Sequence, residues 1–242
     1  MAREARTNTP GRTGTGAARA AGAGTVEPKA AAKVAAKSTR KPGPRQEQSA
    51  ARREAILAAA LDEFSARGFT ATRLDDVAKR AGVAKGTIYL HFADKEALFQ
   101  DIVRTMVVPV IATVEKMPPV DLPIAVFFEG VINMFVHEIY GTRRREVIRL
   151  VIAEVPRFPK LAEFYYREVI ERALTGVRAR IARAVERGEL PNDALVQFPQ
   201  LLVAPFLLSV IWNGLFERFA PLDVAAMLRT HLDLILGKGT PS

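Results

Sequence analysis

Apolar residues recur at helical spacing through almost the whole chain after residue 50, and this pattern limits the fold more than any other feature. No segment shows the sustained apolar–polar alternation of a half-buried strand. The first helix, about residues 50–67, places five apolar side chains on one face: Ile56, Leu57, Ala60, Leu61 and Phe64. Gly68 follows where a left-handed C-cap residue is expected. The sequence therefore predicts an all-α protein.

Glycine and proline divide this helical pattern into segments. Asp94 is expected to cap a fourth helix, which Pro109 or the Pro118–Pro119 pair ends or bends. Longer helices are predicted over residues 122–140, 143–155, 159–187, 193–219 and 222–236. We expect a three-helix head over residues 49–104, with helix four linking it to a larger helical body over residues 105–236.

The excess of positive charge lies almost entirely in the first 48 residues. They hold ten Lys or Arg residues against three Glu, a net +7 of the chain's +9. Residues 1–48 have almost no bulky apolar side chain, so they cannot bury enough surface to offset the entropy of ordering. We predict a disordered basic tail, which either binds DNA phosphates or is a solvated extension with no role. Residues 237–242 are expected to be flexible.

Residues 72–92, TRLDDVAKRAGVAKGTIYLHF, predict two short helices joined by a tight turn at Gly82. Thr72 is expected to cap the first of them, with Asp75 as its partner in a short capping box. The second helix begins at Lys85, and its outward positions hold hydrogen-bond donors and amphipathic rings instead of an ordinary mixture of Glu and Lys. This pattern indicates a helix-turn-helix unit, whose second helix can enter the major groove of DNA.

Residues 55–99, AILAAALDEFSARGFTATRLDDVAKRAGVAKGTIYLHFADKEALF, resemble the TetR family of bacterial transcriptional regulators. The resemblance combines the Gly68–Phe69 step, the DVAKRAGV helix, KGTIYLHF and DKEALF. It implies a homodimer with an interface formed by residues 193–219 and 222–236. It also implies a small-molecule effector, held in the body, that releases the protein from a palindromic DNA operator. Repression is the family's commoner outcome.

By this resemblance, Lys85, Gly86, Thr87 and Tyr89 face the groove. Gly86 lets the helix backbone approach closely, Lys85 can donate to guanine O6 and N7, and Thr87 offers a hydroxyl and a methyl group to neighbouring bases. His91 and Tyr89 are expected to donate to phosphates. Lys85 is also compatible with an ordinary solvated surface, and the ring of Tyr89 is also compatible with packing inside the head.

Three further residues are expected to contact phosphates near helix N-termini: Thr72, Arg73 and Lys95. Two positions depart from the family's usual residues. Position 84 is usually Ser, and Ala84 lacks its capping hydroxyl, at a cost of about 1 kcal/mol. Position 73 is usually Ser or Thr, and arginine there could add a phosphate contact.

The body carries aromatic, Met and His residues on helices expected to border a cavity, and small-molecule pockets are mainly apolar with a few polar groups. The candidates for binding an apolar effector are Phe127, Met134, His137, Phe164, Tyr165, Phe206 and Trp212. Asn213 could supply a further polar group. A stripe of aromatic residues at helical spacing is more often ordinary core packing, and that alternative stays open for each candidate.

The residues give no support to several other functional classes. Cysteine is absent, and the three histidines lie on separate predicted helices without metal-ligand spacing. The chain has no phosphate-binding loop, G-x-S-x-G or H-E-x-x-H motif. We therefore expect no catalysis, metal or cofactor.

The stretch from Ala194 to Phe216 has no charged residue and is long enough to span a bilayer. Its two prolines and the lack of flanking Lys or Arg clusters favour a helix buried inside a dimer. Without an apolar leader, we expect a cytoplasmic, nucleoid-associated bacterial protein. The rival interpretation is a sequence-independent DNA-binding protein driven by the basic tail, whose affinity would fall steeply with salt.

Overall fold

The structure is a computed structural model and describes residues 43–117, 122–191 and 193–238. Within these ranges the regular structure is helical, without strands, which confirms the all-α prediction. Most of the predicted basic tail, the Pro118–Pro119 pair and residues 239–242 lie outside the described residues.

The head consists of four helices: α1 (Pro44–Ala71), α2 (Leu74–Arg80), α3 (Lys85–His91) and α4 (Lys95–Met106). Helix α1 begins six residues earlier than predicted, so residues 44–48, which we assigned to the disordered tail, are helical. A proline in the first turn lacks only an N–H that the helix would leave unpaired, and Glu47 adds favourable negative charge there.

Gly68 interrupts α1 near its end. Its φ of 78° is positive, as predicted, but its ψ of 161° lies outside the left-handed helical region, so the predicted left-handed cap is wrong. The break turns Phe69 into the core, where its ring centroid lies 5.1 Å from that of Phe64. A Cβ atom at position 68 would lie 2.9 Å from Glu154 Oε1. The positive φ and the lack of room for a Cβ atom therefore both favour glycine at position 68.

The body contains eight helices within the described ranges: α5 (Val108–Lys116), α6 (Ile124–Met134), α7 (Arg144–Glu154), α8 (Pro159–Tyr165), α9 (Arg172–Glu186), α10 (Ala194–Gln197), α11 (Gln200–Phe216) and α12 (Val224–Ile235). Helices α6 and α8 continue as π-helical segments, Phe135–Tyr140 and Tyr166–Glu171. The single helix predicted over residues 193–219 is wrong. Phe198 leaves helical geometry because it precedes Pro199, and this separates α10 from α11.

Helix α4 ends at Met106 and α5 begins at Val108 with Pro109 in its first turn, which agrees with the prediction that this proline ends or bends the fourth helix. Taken together, Lys95–Lys116 is the one helical stretch among the described residues that is long and apolar enough to cross a membrane, and α6 with α7 would qualify only as one span bent by 85°. One face of this helix is buried, including Val103 and Val114. The stretch that the sequence suggested, residues 194–216, holds a helix of only 17 residues.

Two hydrophobic clusters hold these helices together. The first contains the core residues of the head and also Val147, Leu150 and Leu161 from α7 and α8. The second lies within the body, where α5, α6, α9, α11 and α12 meet around residues such as Phe135 and Leu228. The core of the head is therefore not closed on itself, because α7 and α8 complete it.

Candidate DNA-binding site

The helix-turn-helix is built on a fully buried apolar contact. Val77 of α2 and Ile88 of α3 are both inaccessible to solvent. Gly82 has a φ of 66°, which lets the chain turn tightly between the two helices. The N–H of Val83 donates to the carbonyl of Ala78 (3.0 Å) and closes the turn. The predicted pair of helices is confirmed, and its geometry fixes which face of α3 is outward.

The outward ridge of α3 is formed by Gly86 and Leu90. A helix advances by about 100° per residue, so both lie within about 20° of the direction opposite the buried Ile88. Leu90 is 85% exposed, and a Cβ atom on Gly86 would meet nothing within 4 Å. Tyr89, at 50% exposure, lies beside this ridge. Leu90 was not among the predicted contacts because its side chain forms no hydrogen bond, although the helical spacing from Ile88 identifies it as outward.

Lys85 is held by an ion pair across the two helices. Its Nζ atom donates to Asp75 Oδ2 at 2.7 Å. This hydrogen bond raises the pKa of Lys85, so its ammonium group stays charged. Both side chains are exposed. Lys85 can therefore exchange Asp75 for another anionic or acceptor group at small cost, since surface ion pairs contribute little.

The capping box predicted at Thr72 is wrong. The N-cap residue of α2 is Arg73, whose exposed side chain makes no capping hydrogen bond. Thr72 is only 3% exposed, and its hydroxyl lies 2.8 Å from the carbonyl oxygen of Gly68 and 3.2 Å from that of Glu63. Its hydroxyl therefore closes the end of α1 and does not face a ligand. Ala84 is the N-cap of α3 and, as predicted, gives it no side-chain cap.

Lys95 is also used within the head. Its Nζ atom donates to the carbonyl oxygens of Phe69 (2.9 Å) and Thr70 (2.8 Å) and lies 4.9 Å from the centre of the Phe69 ring. A lysine favours this place because the last carbonyls of α1 lack helical partners and carry partial negative charge. The structure thus does not present Lys95 as a free phosphate ligand. Thr87 is half-buried and His91 is exposed.

A chain of ion pairs joins the helix-turn-helix to the body. Arg80 of α2 donates to the buried Glu63 (2.6 Å) and lies 3.7 Å from Asp62, both on α1. Arg143 at the start of α7 pairs with Asp62 and also with Glu146 at 3.1 Å. Except for Arg143 and Glu146, the partners are far apart in sequence, so local spacing could not predict the pairs that join the helices.

The seven predicted effector residues do not come together. Phe127, Met134 and Phe206 belong to the second cluster, where the Phe206 ring packs edge-on against Phe135. Phe164 and Tyr165 pack instead against the first cluster, where burial raises the pKa of Tyr165 to about 12.

The remaining two predicted effector residues lie toward the surface. His137 is exposed, and the indole N–H of Trp212 donates to the carbonyl of Ala220 (2.8 Å) in the α11–α12 connection. The seven residues are therefore divided between two clusters and the surface, and their roles in binding an effector remain predictions.

A cleft of about 280 Å³ lies between α1 and α7. Its lining includes Gly68 together with Arg149 and Glu154, and none of the seven predicted residues. Arg149 Nε and Glu154 Oε2 are buried without a hydrogen-bond partner among the described residues. Within the same described residues, no group of three or more His or acidic side chains is placed to hold a metal ion.

Helix α11 exposes a wide apolar surface. The large apolar side chains at least partly exposed on it and just beyond its ends are Phe198, Leu201, Leu207, Leu208, Ile211, Trp212, Leu215, Phe216 and Phe219. Asn213, suggested as a polar group for effector binding, has a structural role here. It is 5% exposed and fixes the α11–α12 connection through hydrogen bonds to both backbone polar groups of Leu222.

Comparisons with known proteins identify the two parts of the chain. Residues 56–102 match the family described as bacterial regulatory proteins, tetR family. Residues 128–230 match the tetracyclin repressor-like C-terminal domain. The HTH-type transcriptional regulator AcrR of Shigella flexneri is 24% identical over 189 residues, which cover 76% of this chain and 87% of AcrR.

Solved structures share the fold. SmeT of Stenotrophomonas maltophilia in complex with triclosan has a TM-score of 0.64 at 23% identity, covering 79% of this chain and 96% of SmeT. FadR of Bacillus subtilis in complex with stearoyl-CoA has a TM-score of 0.65 at 19% identity, covering 77% of this chain and 99% of FadR. The two family matches together span more than half of the sequence. The chain therefore belongs to the TetR family of bacterial transcriptional regulators.

Proposed function

We propose that the protein is a homodimeric repressor in the bacterial cytoplasm, which binds a palindromic operator and leaves it when a small-molecule effector binds the body. The observation that carries this proposal is the outward face of α3. Gly86 and Leu90 form an open ridge there, with Tyr89 beside it, opposite the fully buried Ile88. Such a helix can lie in the major groove with its backbone close to the base edges.

The roles on DNA divide between positioning and base contact. Tyr89, His91 and Arg73 are exposed and, in this proposal, donate to phosphates. Lys85 exchanges Asp75 for guanine or phosphate. Thr72 and Lys95 act indirectly, because their polar atoms hold the end of α1 from which the chain enters α2.

Residues 193–219 and 222–236 are proposed to form the dimer interface. The exposed apolar surface of α11 supports this, since contiguous apolar patches on soluble proteins mark interaction sites. Two copies that pair through this surface would bury the face that a single subunit leaves in water. The pairing also sets the distance between the two copies of α3, which a palindromic operator must match.

The effector is proposed to enter the second cluster beside the π-helical segment Phe135–Tyr140. Single π-helical turns occur often at functional sites, and this one carries Phe135 next to Phe127, Met134 and Phe206. Triclosan bound to SmeT and stearoyl-CoA bound to FadR both have large apolar parts, which supports an apolar effector for this chain. A Phe206→Asp substitution should abolish the thermal stabilisation that such a compound gives the folded protein.

The proposal is tested by fluorescence anisotropy with DNA from just upstream of the protein's own gene and with a scrambled duplex. The full chain and a variant lacking residues 1–42 are titrated across salt. Tight binding of both proteins to the upstream DNA alone supports a sequence-specific regulator of its own gene. Equal binding to both duplexes, lost with residues 1–42, would favour the rival function of general DNA binding through the tail.

A further inference from the structure

Leu90 is the most exposed large apolar side chain in the part of the chain that the structure describes. It is 85% exposed, whereas Ile88, two residues before it in α3, and Phe92, which follows the last residue of α3, are buried. The head therefore gains no packing from this leucine. Single exposed leucines are common on protein surfaces, but Leu90 lies on the outward ridge of α3, which the proposed function places in the major groove.

The chemistry of the groove narrows what Leu90 can contact. A leucine offers no hydrogen bond, so it gains nothing from phosphate oxygens or from the donors and acceptors of guanine, cytosine and adenine. The apolar group that the major groove presents is the C5 methyl of thymine. Gly86 lies one turn before Leu90 on the same ridge and carries no side chain that would hold the helix away. Leu90 can thus come close enough for van der Waals contact.

We propose that Leu90 selects thymine in each operator half-site by packing against its C5 methyl group. This inference rests on the proposed function, because it requires α3 to lie in the major groove of a specific operator. It assigns a specificity-determining role to a residue with no polar chemistry. Polar neighbours such as Lys85 and Thr87 would read or position adjacent nucleotides by hydrogen bonds, whereas Leu90 would read one base by shape and apolar contact.

The experiment removes the methyl group from the DNA without changing its hydrogen bonds. An operator is first obtained by selecting random duplexes with the full-length wild-type protein. Each thymine of one half-site is then replaced in turn by deoxyuridine, and affinities are measured for the wild type and for Leu90→Ala. Val126→Ala serves as the matched control, because it also shortens an exposed aliphatic side chain but lies on α6 in the body.

The expected result is a position-specific loss that depends on Leu90. Burial of one methyl group corresponds to about a fourfold change in affinity. Deoxyuridine at one or two positions should therefore weaken wild-type and Val126→Ala binding by about fourfold, and Leu90→Ala binding by less than about 1.5-fold at the same positions. The same penalty in Leu90→Ala as in the wild type would overturn the inference, as would a wild type that is indifferent to every replacement. If the selection enriches no sequence, the proposed function fails and the inference fails with it.

Discussion

Replacing Asn213 should show how far one buried side chain supports the proposed dimer surface. Its amide oxygen accepts from the N–H of Leu222 (2.9 Å), and its amide nitrogen donates to the Leu222 carbonyl (3.0 Å) and to the Tyr140 hydroxyl. Asn213 thus ties α11 both to the connection that leads into α12 and to the end of the π-helical segment.

The expected cost of Asn213→Ala follows from these three hydrogen bonds. Each contributes about 0.5–1.5 kcal/mol net, and a buried partner left unpaired costs about 1–3 kcal/mol. We therefore expect the free energy of unfolding to fall by about 2–4 kcal/mol. For a chain of this length, that corresponds to a decrease in Tm of about 5–15 °C. Tyr140→Phe removes only one of the three bonds and should cost about 1 kcal/mol.

The measurement is urea unfolding followed by circular dichroism, at one fixed protein concentration because dissociation of a dimer contributes to the apparent stability. Sedimentation velocity on the same variants reports the dimer. Asn213→Ala should be less stable than Tyr140→Phe and should dissociate at a higher concentration than the wild type. A loss below about 0.5 kcal/mol for Asn213→Ala, or equal losses for the two variants, would refute this account, because the Leu222 contacts would then contribute nothing.

Three other substitutions test separate parts of the molecule. Tyr89→Ala should weaken operator binding by about 1–3 kcal/mol with an unchanged Tm, and full-strength binding in fluorescence anisotropy would mean that the ring makes no DNA contact. Leu215→Asp should convert the dimer to monomers, because Leu215 is 63% exposed in one subunit and the new charge would be buried between two subunits. Sedimentation velocity measures this, and an intact dimer would place the interface elsewhere. Gly68→Ala should lower the free energy of unfolding by about 1–3 kcal/mol because of its positive φ, and unchanged urea unfolding would contradict the strain argument.

The sequence predicted the fold class, the helix-turn-helix and most of the body helices, because each depends on local apolar spacing or on a glycine or proline. The face of α3 also followed from spacing, as the burial of Ile88 shows. Local patterns could not reveal tertiary partners. Thr72 and Lys95 were predicted to contact phosphates because they are polar residues near helix N-termini. In the folded chain, both side chains instead donate hydrogen bonds to carbonyl oxygens at the end of α1.

The effector residues were harder to predict for the same reason. Aromatic residues at helical spacing identify the buried face of a helix but not the cluster in which that face is buried. Phe164 and Phe206 look alike in sequence, yet one packs with the head's cluster and the other with the body's own. The choice depends on how α8 and α11 are placed by the whole fold, which no window of local sequence contains.

The contacts between head and body suggest how an event in the body could reach α3. Arg144 donates to the carbonyl of Met106, the last residue of α4 (2.7 Å), and to the carbonyl of Glu138 in the π-helical segment (2.7 Å). At its other end, α4 carries Lys95, which holds the end of α1 next to the helix-turn-helix. A ligand that alters the π-helical segment would therefore act through Arg144 on one end of α4, whose other end contacts α1 through Lys95. Because α7 and α8 also complete the head's core, a displacement of these helices would act directly on the packing of the head.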